Sequence, residues 1–115
     1  MDRLTVADDR LRLVLSTLAN PHRMRVVAAL TEHRDYVSHL ARELGISRAL
    51  LQVHLRKLEA AGLVSSQIEV SADGKAMKFY EVTPFDVHLT PETVAAAARS
   101  LTALDRELDL EVDAR

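Results

Sequence analysis

The side chains best suited to chemistry lie in a basic segment near the middle of the chain. Residues 42–58 carry four basic groups and one acidic group, in a protein of 115 residues whose net charge is −2. Gln can bond bidentately to adenine and Arg to guanine, and Ala or Val methyl groups can contact the thymine methyl. The positive end of a helix would also favour a nearby phosphate. The DNA contacts predicted in this segment are Ser47, Arg48, Ala49, Gln52, Val53 and Arg56.

A second basic feature follows at a predicted hairpin. From residue 63 to residue 82 the apolar side chains alternate around a turn at residues 72–75, which predicts two antiparallel strands. Lys75 lies at the tip and Lys78 follows it, and both are predicted to contact DNA phosphates as compact charges. Alternatively, these lysines protect an exposed strand edge from aggregation. The two interpretations are compatible.

Five helices are predicted to position these side chains. Apolar residues at helical spacing place them at about 8–18, 21–33, 38–44, 47–61 and 90–110. The predicted N-caps of the second to fifth helices are Asn20, Ser38, Ser47 and Thr90. A helix, a turn at Gly45, a second helix and a hairpin form the order of a winged helix-turn-helix. The predicted fold class is therefore mainly α with a small wing of two or three strands.

Composition narrows the classes of protein that this chain can represent. It is 48% hydrophobic and 28% charged, which is typical of one folded domain, predicted here to span residues 1–115. The absence of Cys excludes disulfide frameworks, zinc–cysteine sites and thiol catalysis. No glycine-rich phosphate loop or nucleophile elbow occurs, so the chain is predicted not to be an enzyme. Without a signal peptide or an apolar stretch of about 18 residues, it is expected to be cytoplasmic and to bind no membrane.

Three motifs together resemble one family of regulators. Residues 18–25 read LANPHRMR, similar to the start of a LAxPxRxRIL signature, and residues 40–64 read LARELGISRALLQVHLRKLEAAGLV. The latter is similar to LAxxLGxSxxxVSxHLxxLxxAGLV, and residues 74–80 follow the pattern of a Gly, a basic residue and an aromatic. On these motifs the chain, over about residues 18–82, resembles the ArsR family of winged-helix regulators. The resemblance implies a dimeric transcription regulator, usually a repressor, that binds a palindromic operator. It also implies that Arg48, Ala49, Gln52 and Val53 reach the bases.

The last predicted helix carries an apolar seam. Its side chains alternate by three and four residues, as in a short heptad repeat. The dimerisation residues predicted from this spacing are Val94, Ala97, Leu101, Leu104 and Leu108. Either the first helix of the same chain or the last helix of a second copy could cover them, and the resemblance implies that the first and last helices of two subunits pack together. Such a dimer would place its recognition helices roughly 34 Å apart on an inverted repeat.

Metal sites of the kind found in this family are predicted to be absent. The positions of the family's thiolate site fall at Tyr36 and Ser38, which are not soft ligands. Asp86 and His88 supply half of a second family site, but its later positions are Arg99 and Thr102, and Arg repels a cation. No cofactor is expected, and the inducer stays unknown. His54 is predicted to have a packing or phosphate role, and His22, His33 and His39 are predicted to be surface or capping residues.

Two alternatives to a DNA-binding regulator stay open. One is a winged-helix module that binds another protein, because the net charge is negative and Val53 places an apolar group on the outer helix face. The other is a metal sensor that uses Asp86 and His88. A steep fall of duplex affinity with salt would distinguish DNA binding from the first alternative.

Overall fold

Helices dominate the chain, and a small sheet follows the helix-turn-helix. A computed structural model describes residues 4–5 and 8–101. Its helices are α1 (Asp8–Leu18), α2 (Pro21–Glu32), α3 (Val37–Leu44), α4 (Arg48–Ala60) and α5 (Pro91–Arg99). Its strands are β1 (Leu4–Thr5), β2 (Asp35–Tyr36), β3 (Val64–Val70), β4 (Ala76–Val82) and β5 (Phe85–Asp86). The predicted winged helix-turn-helix is confirmed. No helix in these two ranges is both long enough and apolar enough to cross a membrane.

The wing is a three-stranded antiparallel sheet in the order β2-β4-β3. The β3–β4 hairpin runs from the pair Val64–Val82 to the pair Val70–Ala76, and Gly74 provides the positive φ of 86° in its turn. On the other side of β4, Tyr36 of β2 pairs with Phe79. This pairing attaches the wing to the start of α3. A further short parallel pairing of β1 with β5 was not predicted.

The core lies beneath α4, where the predicted inward stripe is confirmed. Leu51, Leu55 and Leu58 are fully buried and pack with Tyr80 of the wing and with residues of α2 and α3. Burying one such side chain stabilises the fold by about 1.5–3 kcal/mol. Because these anchors fix one face of α4, its opposite face is held toward solvent.

Helix ends follow the capping residues closely. The Asn20 carboxamide accepts from the Arg23 N–H at 3.2 Å, and the Ser47 hydroxyl accepts from the Leu50 N–H at 3.0 Å. Gly45 ends α3 with a φ of 70°, as a left-handed C-cap requires. These caps fix both boundaries of the turn between α3 and α4.

One predicted helix limit was wrong. Ser38 is not an N-cap, because α3 begins at Val37 and its N-cap is Tyr36, which strand pairing holds in an extended conformation. The last helix was predicted to reach about residue 110. In the structure α5 ends at Arg99, where the Ser100 N–H donates to the Ala97 carbonyl at 3.1 Å, and residues 102–110 lie outside the described residues. Leu101 follows that end, and Leu104 and Leu108 lie outside the described residues.

Candidate nucleic-acid interface

The outer face of α4 presents the side chains that the sequence singles out. Arg48, Ala49 and Arg56 are exposed, Gln52 is half-buried, and Val53 is 39% exposed. Ser47 caps the helix, so the following backbone N–H groups open toward solvent at its positive end. The face thus combines a guanidinium, a carboxamide and small apolar groups within reach of one another.

A groove connects this face with the wing. It has a volume of about 360 Å³ and lies between the start of α3, the first half of α4 and the strand β4. Its lining residues are Tyr36, Val37, Ser38, Arg48, Gln52, Ala76, Met77 and Lys78. The structure therefore brings together Arg48, Gln52 and Lys78, which the sequence assigned to two separate elements. Lys75 lies outside the groove, at the exposed tip of the wing.

The residues at the start of α3 were missed as part of this surface. Ser38 was predicted to be a cap, and Tyr36 and Ser38 were both considered as positions of a metal site, but neither was predicted to contact DNA. Their place in the groove depends on the pairing of Tyr36 with Phe79, which connects residues far apart in the chain. No local spacing pattern signals such a contact.

The basic side chains at the groove and the tip are available to bind anions. Arg48, Lys75 and Lys78 form no ion pair with a carboxylate of the described part of the chain. The Lys78 ammonium lies 5.3 Å from the centre of the Tyr80 ring, a cation–π distance that holds the side chain over the sheet. Free cations near a helix N-terminus form a local positive surface on an otherwise acidic protein.

The tip of the wing is organised before any ligand binds. The Asp73 carboxylate accepts from the Ser71 hydroxyl and, at 3.3 Å, from the Lys75 N–H. The Ser71 hydroxyl bond, followed by the Lys75 amide bond, lowers the pKa of Asp73. Because these bonds close the turn, Lys75 projects from a defined loop.

An ion pair lies across the strands of the wing. The Arg34 guanidinium donates to both carboxylate oxygens of Glu69, with 3.0 Å between Nη2 and Oε1, and lies 4.6 Å from the centre of the Phe79 ring. The hydrogen bond from Arg34 lowers the pKa of Glu69. Since Arg34 precedes β2 and Glu69 belongs to β3, the contact spans all three strands.

His54 lies on the inner side of α4 and is only 6% exposed. Its Nδ1 is 3.5 Å from Arg23 Nη1, its ring stacks on that of His22 with centroids 5.3 Å apart, and its Nε2 has no partner among the described residues. Burial lowers the pKa of His54, and the neighbouring cation of Arg23 lowers it further. Of the two roles considered for His54, this burial favours packing and leaves the ring out of reach of a phosphate.

Three of the five predicted dimerisation residues, Val94, Ala97 and Leu101, lie beside α1. An apolar groove of about 460 Å³ runs between α1 and α5, and its lining includes Leu11, Leu15, Val94, Ala97, Ala98 and Leu101. Ala97 is buried against its own chain, Leu101 is half-buried, and Val94 is 47% exposed. The first helix therefore covers part of the seam, and the rest forms an open apolar strip.

Among the described residues, no third ligand completes the half-site of Asp86 and His88. Asp86 belongs to β5 and His88 to the segment before α5, and both are exposed. Within residues 4–5 and 8–101, neither belongs to a group of three side chains placed to hold a metal ion. A group of that kind is formed instead by Asp35, His39 and Glu43, in which His39 was predicted to have only a surface or capping role.

Comparisons of sequence place the chain among known regulators. The sequence profile described as "Bacterial regulatory protein, arsR family" matches residues 20–66. An uncharacterized HTH-type transcriptional regulator of Methanocaldococcus jannaschii is 34% identical over 77 residues, which are 67% of this chain and 80% of that protein. Nodulation protein NolR of Rhizobium meliloti is 40% identical over 53 residues, covering 46% of this chain and 43% of NolR.

Solved structures share the architecture. NolR from Sinorhizobium fredii has a TM-score of 0.55 at 26% identity, with 78% of this chain and 79% of that chain covered. An ArsR-like transcriptional regulator from a Rhodococcus species has a TM-score of 0.56 at 26% identity, covering 91% and 88%. A homodimeric winged helix-turn-helix DNA-binding domain from Mycobacterium bovis has a TM-score of 0.59 at 20% identity, covering 91% and 80%, and supports the fold alone.

Proposed function

The chain belongs to the ArsR family of bacterial transcriptional regulators, and from this premise we propose that it is a homodimeric, sequence-specific DNA-binding repressor. Its relatives and its family are transcription regulators and not enzymes. The observation that carries the proposal is the groove in which Arg48, Gln52 and Lys78 meet beside the N-terminus of α4. Base-reading and phosphate-binding groups share one solvent-facing surface there.

The outer face of α4 is proposed to read bases in the major groove. Arg48 would donate to guanine and Gln52 would bond to adenine, while Ala49 and Val53 would contact thymine methyl groups. Ser47 and Arg56 lie at the edges of this face and would contact the backbone. The buried leucines beneath α4 support this role, because a rigid helix keeps its register against the base edges.

The wing is proposed to bind the sugar–phosphate backbone. Lys78 borders the groove and Lys75 projects from the tip, so the two ammonium groups would contact phosphates next to the site read by α4. The pairing of β2 with β4 supports this role, because it attaches the hairpin to the start of α3. The body that binds DNA would comprise about residues 8–82.

The segment of about residues 90–110 is proposed to form the dimer together with α1. The apolar strip beside Val94 and Leu101 is open in one chain, and an exposed apolar strip on a small domain favours association. The buried Ala97 would pack beneath this contact, and Leu104 and Leu108 would extend it. The relative from Mycobacterium bovis is described as homodimeric. Two-fold symmetry would place two α4 helices on an inverted repeat.

The test begins with selection of duplexes from a random pool, followed by affinity measurements at several salt concentrations. Arg48→Ala and Gln52→Ala should each cost about 1–3 kcal/mol on the selected site and change the preferred base. Lys75→Ala and Lys78→Ala should weaken all duplexes alike, and each should reduce the slope of log affinity against log salt by about 1. Arg25→Ala, which removes an exposed cation outside the groove, serves as the control.

Two outcomes would overturn the proposal. If no duplex is enriched and binding shows no salt dependence, the surface serves another partner, such as a protein. If a duplex is enriched but the four variants bind it as tightly as Arg25→Ala does, the DNA interface lies elsewhere. Light scattering at micromolar concentration tests the dimer separately, and a monomer there would contradict the proposed assembly.

A further inference from the structure

We propose that Asp35, His39 and Glu43 form a binding site for a divalent cation such as Zn²⁺, outside the proposed DNA-contacting groove. One ligand atom of each side chain lies within 4.8 Å of the other two. His39 Nδ1 is 2.6 Å from Asp35 Oδ2 and 3.7 Å from Glu43 Oε2. Three donors of the right types therefore converge without any change of the backbone.

The two elements that carry these residues are fixed to each other. Asp35 belongs to β2 and is only 4% exposed, and its Oδ1 accepts from the Tyr36 N–H at 2.8 Å, which orients the other oxygen toward His39. His39 and Glu43 are one turn apart on α3 and share a face of the helix. The buried carboxylate is thus a positioned ligand, and the other two side chains approach it from the solvent side.

The charge around the cluster favours a cation. Arg34 is the neighbour of Asp35 in the chain, but its guanidinium is directed to Glu69 and the Phe79 ring. Two carboxylates therefore face one imidazole, and a divalent ion would balance them. When His39 binds the ion through Nδ1, the ring proton has to lie on Nε2.

The donor set indicates the class of ion. One imidazole and two carboxylates suit Zn²⁺, Co²⁺ or Mn²⁺, whereas soft ions such as Cu⁺ prefer thiolate and thioether ligands. Because His39 and Glu43 are partly exposed, water can complete the coordination. The ion would connect β2 to α3, and β2 is itself paired with the wing strand β4. This site does not depend on DNA binding, and it shares no residue with the Asp86–His88 half-site.

The experiment uses the untagged chain, titrated with Zn²⁺ in a calorimeter and with Co²⁺ in a visible spectrometer. We expect one ion per chain, with Co²⁺ absorption bands that Zn²⁺ abolishes. His39→Asn and Glu43→Gln should each weaken Zn²⁺ binding by about tenfold or more, as expected for loss of a ligand. Asp35→Asn should do the same, and circular dichroism shows whether this buried substitution still folds. The exposed Glu43→Gln keeps the test decisive if it does not.

His88→Asn is the matched control, because it removes an exposed imidazole outside the cluster. This variant should bind Zn²⁺ as the parent does. Loss of binding in His88→Asn together with full binding in His39→Asn would place the ion at the Asp86–His88 half-site and overturn the proposal. So would the absence of heat and absorption changes with the parent chain at millimolar metal.

Discussion

Replacement of Gly62 by Ala should destabilise the protein through two separable effects. Gly62 follows α4 with a φ of 76°, and a β-carbon added there would lie 2.5 Å from Arg10 Nη2. Arg10 donates from that nitrogen to the carbonyl of Ala61, which joins α1 to the end of α4. The left-handed backbone costs a non-glycine residue about 1–2 kcal/mol. Nη2 is the far end of a flexible side chain, so the guanidinium can move aside at the cost of one hydrogen bond, about 0.5–1.5 kcal/mol. We therefore expect a total loss of about 1.5–3.5 kcal/mol.

Urea unfolding followed by circular dichroism, at one fixed protein concentration, measures this loss. Gly45→Ala is the matched control, because Gly45 has a φ of 70° and nothing within 4 Å of an added β-carbon. Gly45→Ala should lower the free energy of unfolding only by the cost of the left-handed backbone. In an Arg10→Ala background, Gly62→Ala should lower the free energy of unfolding by the backbone cost alone, which gives a coupling energy of about 0.5–1.5 kcal/mol. Equal losses for Gly62→Ala and Gly45→Ala, or no coupling with Arg10, would refute the reasoning.

Other substitutions test the remaining supports of α4 and the wing. Leu55→Ala should lower the free energy of unfolding by about 2–5 kcal/mol in urea melts, since the side chain is fully buried. Asn20→Ala should cost about 1 kcal/mol in the same assay, because the N–H of Arg23 loses its cap. Glu69→Gln should cost less than about 1 kcal/mol, since its ion pair with Arg34 is half-exposed. Burial lowers the pKa of His54, so the unfolded chain binds a proton at this residue more tightly than the folded protein does. The free energy of unfolding should therefore keep its full value above about pH 6.5 and decrease below it. Thermal melts from about pH 7.5 to pH 5.5 should show a smaller decrease in His54→Gln than in the parent, and an equal decrease would contradict this.

Local signals in the sequence were sufficient for most of the fold. A polar cap, a proline or a glycine defines a helix end through bonds within a few residues, and Asn20, Gly45 and Ser47 do so as predicted. The apolar spacing in α4 depends only on helix geometry, and the structure buries the stripe that this spacing predicts. The same local logic predicted the β3–β4 hairpin, whose turn has a characteristic residue pattern.

The errors arose where distant parts of the chain meet. The strand β2 has only two residues, and its pairing with β4 moved the start of α3 from Ser38 to Val37. That pairing also placed Tyr36 and Ser38 in the groove, which no spacing pattern reveals. The cluster around His39 could have been found, because residues 35, 39 and 43 follow the four-residue helical spacing. The apolar pattern after Arg99 predicted more helix, but α5 ends at Arg99, and residues 102–110 lie outside the described residues.

The open apolar strip between α1 and α5 links gene dosage to regulation in the proposed dimer. At low abundance most chains would be single, and the number of pairs would then grow with the square of the amount synthesised. A doubling of expression would raise the amount of operator-competent protein about fourfold by mass action. A cell could therefore convert a modest change in synthesis into a sharp change in promoter occupancy, without any small molecule taking part.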